Sequence, residues 1–220
     1  MIFYDYWRST SAWRVRLALH LKGLSFDRRP VNLLADEQHA PEFRTLNPQA
    51  QVPVLVIPAE TPGARPQVLT QSMAILAYLE ERFPAPPLLP PADQLVARAR
   101  ARQLAEMVNS GIQPFQNMSL AAWLRGAGVA DPPALAREFN ARGLAAVEQL
   151  ARETAGKFLI GDAPTIADVY LTPQLYGSRR LGVDLAPYPT LLRVEAAAAA
   201  LPAFAAARPE RQTDAVPANP

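Results

Sequence analysis

Three consecutive hydroxyls, Ser9, Thr10 and Ser11, stand between a short apolar segment and a stretch of helical periodicity from Trp13 to Lys22. Ile2 to Trp7 has the aromatic and β-branched character of a buried strand. Ser, Thr and Ser ahead of the periodic stretch are N-cap residues, and Gly23 after Lys22 is a stop signal. The hydroxyls are thus expected where backbone N–H groups and the positive end of a helix dipole converge, a natural place for an anion. The plain alternative is that one of them only caps the helix. The chain has no cysteine, which excludes disulfides, thiolate metal sites and a cysteine nucleophile. Any thiol chemistry therefore needs a thiol brought by a small molecule. His20 lies mid-helix and His39 in a polar loop, and neither has metal-ligand spacing, so no metal is expected.

The elements that must position these hydroxyls divide the chain in two. Residues 1–83 read as β-α-β-α-β-β-α. A second strand is expected from Phe26 to Leu33, at a sheet edge because Pro30 cannot donate to a ladder. A short helix is expected around Pro41 to Leu46, a strand from Val52 to Ile57, a turn over residues 61–66 and a short strand from Gln67 to Leu69. Ser72 then reads as the cap of a helix with Ile75, Leu76, Leu79 and Phe83 at helical spacing. Residues 84–92 are proline-rich and read as a stiff linker. From 93 to 220 the strand signal nearly vanishes. Leu95 to Leu124, Pro133 to Thr154, Thr165 to Leu181 and Pro189 to Ala206 read as helices, and the polar residues after Pro209 as a loosely held tail.

Composition narrows the function classes. With 22 basic and 20 acidic residues the charge is nearly balanced, and 20 of the basic residues (22 − 2 lysines) are arginines. They are spread along the chain without an aromatic-interleaved patch, so nucleic-acid binding is not indicated. No run of apolar residues is long enough to span a membrane. Without a visible secretory signal, a cytoplasmic location is expected.

Four local motifs then meet in one pattern. Arg8-Ser9-Thr10-Ser11-Ala12-Trp13-Arg14-Val15-Arg16 is followed by Val52-Pro53 at a strand start. Gln71-Ser72 opens the next helix, and Thr165-Ile166-Ala167-Asp168 reads as a capping box just after Gly161 and Asp162. With the domain order, these residues resemble the cytosolic glutathione transferases, and the first motif is similar to the zeta-class signature. Gly111 to Asn117 and the segment from Pro173 through Arg179-Arg180 to Pro189 are similar to zeta-class sequences too, so the match covers about residues 1–212. Two positions depart from that signature: Thr10 stands where it has its second Ser, and Ser11 where it has Cys, which excludes an auxiliary enzyme thiol.

The resemblance implies an α/β thioredoxin-like N-terminal domain, an all-α helical C-terminal domain and a homodimer. It implies glutathione as cofactor, with Ser9 as the catalytic hydroxyl and Thr10 and Ser11 as second donors. Gln71 and Ser72 would take the γ-glutamyl end and Val52, beside a cis Pro53 and Gln51, the cysteinyl backbone. Gln38 or His39 would reach the glycine carboxylate, and Gln116 and Asn117, on the helix bordering the substrate site, would also contact glutathione. Thr165 and Asp168 match the family's buried folding motif. The implied reaction is the cis–trans isomerisation of a maleyl keto acid, with Arg8 and Arg180 holding its carboxylates. A general glutathione transferase or α-haloacid-processing enzyme on the same scaffold remains an alternative, as does a non-catalytic binding protein.

Overall fold

In the computed structural model, which describes residues 1–59, 61 and 63–216, the chain divides into two units. The first comprises Met1–Pro86 together with the described residues from Pro202 onward, and the second Pro87–Leu201. Glu60 and Pro62, beside and within the turn expected over 61–66, lie outside the described residues, as do residues 217–220.

The first unit is organised around strand β1 (Ile2–Asp5), which runs between β2 (Asp27–Pro30) and β3 (Val54–Ile57), with β4 (Gln67–Thr70) outermost. β2 runs parallel to β1, whereas β1–β3 and β3–β4 are antiparallel. Successive side chains of a strand point to opposite faces. On one face Tyr4 meets Phe43 of helix α2 (Pro41–Leu46) edge-on at 6.2 Å. On the other, Phe3 and Asp5 are fully buried, and Asp5 pairs with Arg16 of helix α1 (Thr10–Leu21). β2 is shorter than the expected Phe26–Leu33, and it ends at Pro30, the residue that marks it as an edge strand. β1 likewise ends at Asp5 rather than Trp7, because the Trp7 backbone bonds to side chains instead of a neighbouring strand.

Helix α1 stops as its sequence requires. Gly23 takes φ of +64°, its N–H donates to His20 C=O and that of Leu24 to Leu19 C=O, closing a Schellman turn. The buried ammonium of Lys22 then donates to Glu80 Oε2 at 2.7 Å, Phe83 C=O at 2.6 Å and Pro86 C=O at 3.0 Å. It ties the end of α1 to the end of α3 (Ser72–Arg82).

The described C-terminal residues belong to the first unit, not to the helical one, and the tail after Pro209 is not loosely held. Arg16 Nε donates to Ala207 C=O at 3.0 Å, and Arg28 pairs with Asp214 at 2.7 Å. Pro202 breaks the helix expected over 189–206 into α8 (Pro189–Ala199) and α9 (Pro202–Ala206). The backbone of α9 therefore turns toward α1 rather than continuing α8.

The second unit is helical. The stretch read as one helix from Leu95 to Leu124 is α4 (Leu95–Gly111), a 3-10 turn over Gln113–Gln116 and α5 (Met118–Gly126). The break falls at Pro114, which lacks a backbone donor. α6 (Pro132–Thr154) and α7 (Ile166–Arg180) pack against α4. Leu88 and Leu89, in the segment read as linker, are buried in this unit, and Leu88 C=O accepts from Ile166 N–H at 2.7 Å. Thr165 and Asp168 form the expected capping box. The Asp168 carboxylate accepts from Leu159 N–H at 2.8 Å, Thr165 N–H at 2.7 Å and Thr165 Oγ at 3.0 Å.

Candidate active site

Register sets which loops meet. Tyr4 faces Val54, and Val54 faces Thr70. The residues following β1, preceding β3 and following β4 therefore emerge at one end of the sheet. Those residues are Trp7 to Ser11, Gln51-Val52-Pro53 and Gln71-Ser72. β2 runs parallel to β1, so the segment leading to Gln38 and His39 leaves from that end as well.

Ser9 is the N-cap of α1. Its Oγ accepts from Ala12 N–H at 3.2 Å, and its own N–H donates to Tyr6 C=O at 2.9 Å. Capping uses a lone pair of the hydroxyl, which leaves the O–H proton to donate. The capping reading and the anion-binding reading are thus compatible at one atom. Thr10 and Ser11 occupy the first turn, where helix N–H groups have no partner within the helix. Thr10 is buried and Ser11 half-buried. Arg8 is half-buried too, its guanidinium 5.2 Å from the centre of the Trp7 ring.

The Val52–Pro53 peptide is cis and buried. The loop before it is held by Asn47, whose Nδ2 donates to Gln51 C=O at 2.7 Å. At the start of α3 the structure corrects the expectation: Ser72 is not the cap. Gln71 takes that position at φ +67°, and Ser72 is the first helical residue. A non-glycine residue at such a φ costs about 1–3 kcal/mol and persists where its surroundings hold it. Here Gln71 Nε2 donates to Gln49 Oε1 at 2.6 Å, and Gln71 C=O accepts from Ile75 N–H at 3.0 Å. Ser72 is 2% exposed, and its Oγ accepts from the fully buried Arg14 Nη1 at 3.2 Å. Here too a hydroxyl at a helix start accepts from a protein donor.

Gln38 Nε2 donates to Asp36 Oδ1 at 3.2 Å, while its Oε1 is buried with no hydrogen-bond partner, an acceptor that an N–H of a bound molecule would satisfy. His39 is exposed. Among the described residues, no group of His, Cys, Asp or Glu is placed to hold a metal ion.

The remaining candidates belong to the second unit. Gln116 accepts from Gln174 Nε2 at 3.2 Å, and Gln174 also reaches the buried Asn140 and Ser178. Asn117 Oδ1 accepts from Gln113 Nε2 at 2.7 Å. Of the two adjacent arginines, Arg179 forms a bidentate pair with Glu195, and Arg180 lies 6.0 Å from the centre of the Tyr176 ring. Asp184, the acid nearest in sequence, accepts from Ala186 N–H at 3.0 Å. Asn47, Gln49 and Arg14 are supporting residues that sequence reasoning did not assign. The Asn47-Pro48 loop signal and the Arg14 position within the first motif were the available cues.

A thioredoxin-like sheet with a cis-proline loop and two hydroxyl-bearing helix starts at one end, joined to an all-helical unit, defines a glutathione transferase. The chain matches the family descriptions "Glutathione S-transferase, N-terminal domain" over residues 8–82 and "Glutathione S-transferase, C-terminal domain" over 141–209. A maleylacetoacetate isomerase of Anaeromyxobacter dehalogenans 2CP-1, solved with glutathione in its active site, is 56% identical with a TM-score of 0.88, covering 98% of this chain and 97% of that one. The same protein was also solved with dicarboxyethyl glutathione and citrate. A zeta-class maleylpyruvate isomerase is 40% identical with a TM-score of 0.89, covering 98% and 100% of the two chains. The maleylacetoacetate isomerase of Pseudomonas aeruginosa PAO1 is 44% identical over 97% of this chain and 98% of its own length. The chain belongs to the glutathione S-transferase family and, within it, to the zeta class.

Proposed function

We propose that this protein is a glutathione-dependent cis–trans isomerase of a maleyl keto acid, either maleylacetoacetate or maleylpyruvate. The observation that carries the reading is the Ser9 hydroxyl, bonded as an acceptor to the first turn of α1 with its proton left to donate. Rotation about a carbon–carbon double bond is very slow unaided. Bound glutathione supplies a thiolate that adds to the activated alkene, makes that bond single, and leaves after rotation.

The residues present fit that cofactor. The Ser72 hydroxyl donates to the γ-glutamyl carboxylate, the Val52 backbone meets the cysteinyl portion, and the open Gln38 acceptor takes an N–H toward the glycine end. Ser9 holds its proton toward the sulfur at the positive end of α1. A free thiol has a pKa of about 8.5, and each unit of depression corresponds to about 1.36 kcal/mol, within reach of one charge-assisted hydroxyl bond and a helix dipole. The family resemblance, rather than a measured geometry, assigns Arg8 and Arg180 to carboxylates of the diacid, whose planar ends match a guanidinium fork. For Gln116 and Asn117 the glutathione role rests on the family resemblance alone.

We also read the protein as a cytoplasmic homodimer. Among the described residues, no helix is long and apolar enough to cross a membrane. Size-exclusion chromatography returning only a 24.0 kDa species would contradict the dimer. The activity is tested with purified protein, maleylacetoacetate and maleylpyruvate, with and without glutathione. Turnover of at least one acid that requires glutathione supports the proposal, and no turnover of either contradicts it.

A further inference from the structure

The turn that aims Ser9 is gripped from behind by the far end of the chain. Trp7, two residues before Ser9, has both its backbone groups bound by side chains. Its C=O accepts from Arg16 Nη2 at 2.9 Å, and its N–H donates to Asp214 Oδ2 at 3.4 Å, across 207 residues of sequence. Tyr6 C=O, the next group back, accepts from Ser9 N–H at 2.9 Å.

Both grips belong to one alternating chain of charges. Arg16, fully buried, pairs with Asp5 at 2.5 Å. Arg28 bridges Asp5 and Asp214 at 2.7 Å each. Arg16 Nε also holds Ala207 C=O at 3.0 Å. The four side chains come from α1, β1, β2 and the C-terminal segment, and two acids balance two bases. Burial lowers the Arg16 guanidinium to about 10, while Asp5 and Asp214 raise it, so it stays charged at neutral pH.

We propose that Asp214 is a positioning residue for the Ser9 hydroxyl. By holding the Trp7 amide, the C-terminal segment fixes the orientation of the turn from Tyr6 to Ser9. The inference rests on the reading of Ser9 as the donor to the glutathione thiolate. It concerns a geometry rather than a contact, since a hydroxyl must point at the sulfur to depress its pKa. A small rotation of the Trp7–Arg8 peptide would cost thiolate stabilisation without touching the residues that hold the rest of glutathione.

The test uses the full-length chain with Asp214→Ala, Asp214→Asn, Ser9→Ala and a stability control, Lys22→Met, whose interactions lie at the other end of α1. The readouts are the pKa of enzyme-bound glutathione, from thiolate absorbance against pH, glutathione affinity by calorimetry, and hydrogen exchange at the Trp7 amide. Asp214→Ala should raise the bound thiol pKa by about one unit, up to a tenfold loss of thiolate at neutral pH, with affinity changed less than about twofold and faster exchange at Trp7. Asp214→Asn, which keeps an acceptor for the amide, should restore most of the pKa. Lys22→Met should leave it unchanged, even where thermal stability falls as far as in Asp214→Ala. An unchanged thiol pKa in folded Asp214→Ala, or an equal rise in Asp214→Asn or Lys22→Met, overturns the proposal. Ser9→Ala separates the two levels. If it raises the thiol pKa while Asp214→Ala does not, only the positioning role falls; if it leaves the pKa unchanged, the donor role of Ser9 falls and the proposal with it.

Discussion

Arg14 and Ser72, on two different helices, share a hydrogen bond of 3.2 Å in which the guanidinium donates and the hydroxyl accepts. A cation on the acceptor side polarises the Ser72 O–H, so its proton is offered to an anion more strongly than that of an isolated serine. Losing a hydrogen bond to a charged group costs about 1.5–3 kcal/mol. Ser72→Ala should therefore weaken glutathione binding roughly ten- to a hundredfold by calorimetry, with the rate at saturating glutathione little changed. Unchanged affinity would contradict the role given to Ser72.

Ser9 caps α1, and the donor role proposed for it can be separated from capping by substitution. Replacing a capping serine with alanine costs about 1 kcal/mol of stability, whereas glycine costs only a few tenths. Loss of one donor to a developing or bound anion lowers turnover by about 10²-fold. Ser9→Gly should thus keep nearly wild-type thermal stability yet lose turnover as fully as Ser9→Ala. If activity followed the loss of stability instead, Ser9 would be only a cap.

Arg179 and Arg180 are neighbours with different surroundings, and the difference is testable. Arg179 is committed to Glu195 through both of its terminal nitrogens. Arg180→Ala should raise KM for the maleyl keto acid at least tenfold while sparing activity toward a neutral haloarene. Arg179→Ala should change that KM less than about twofold. Equal effects of the two substitutions on both substrates would remove the assignment of Arg180.

Asp168 supplies a pH signature in stability. Burial pushes its carboxyl up from 3.8 to about 6, against the hydrogen bonds from Leu159 and Thr165 that lower it. The folded state therefore binds this proton more tightly than the unfolded chain. The contribution to stability is full below the unfolded value, declines as pH rises toward the folded value, and is lost above it. Denaturant unfolding of the wild type against Asp168→Asn, between about pH 4 and pH 7, should show wild-type stability falling relative to the variant as pH rises. A constant or growing difference would contradict the assignment.

Element types and the helix starts near Ser9 and Ser72 were legible because the cues are local: caps, proline and periodic apolar residues; the cis Val52–Pro53 peptide was legible only through the family resemblance. What was not legible depends on long-range contacts. The strand predicted to reach Trp7 stops at Asp5 because its backbone finds Arg16 and Asp214, and no window around Trp7 contains the second. The polar composition after Pro209 reads as a tail, since a single aspartate matters only through the arginine it meets. At Ser72 the cue was read one residue late. The cap position falls to Gln71, whose left-handed backbone is held by Gln49 from another loop. Pro114 was a local cue that the expected single helix over 95–124 ignored.

In the proposed reaction glutathione acts as a catalyst rather than a reactant. The direct measurement is the molar yield of isomerised diacid per glutathione, with glutathione supplied far below the substrate and assayed again at the end. Many moles of trans product per mole of glutathione are expected, with the thiol recovered intact. One thioether formed for each glutathione consumed, or product formed equally without glutathione, would contradict the proposed reaction.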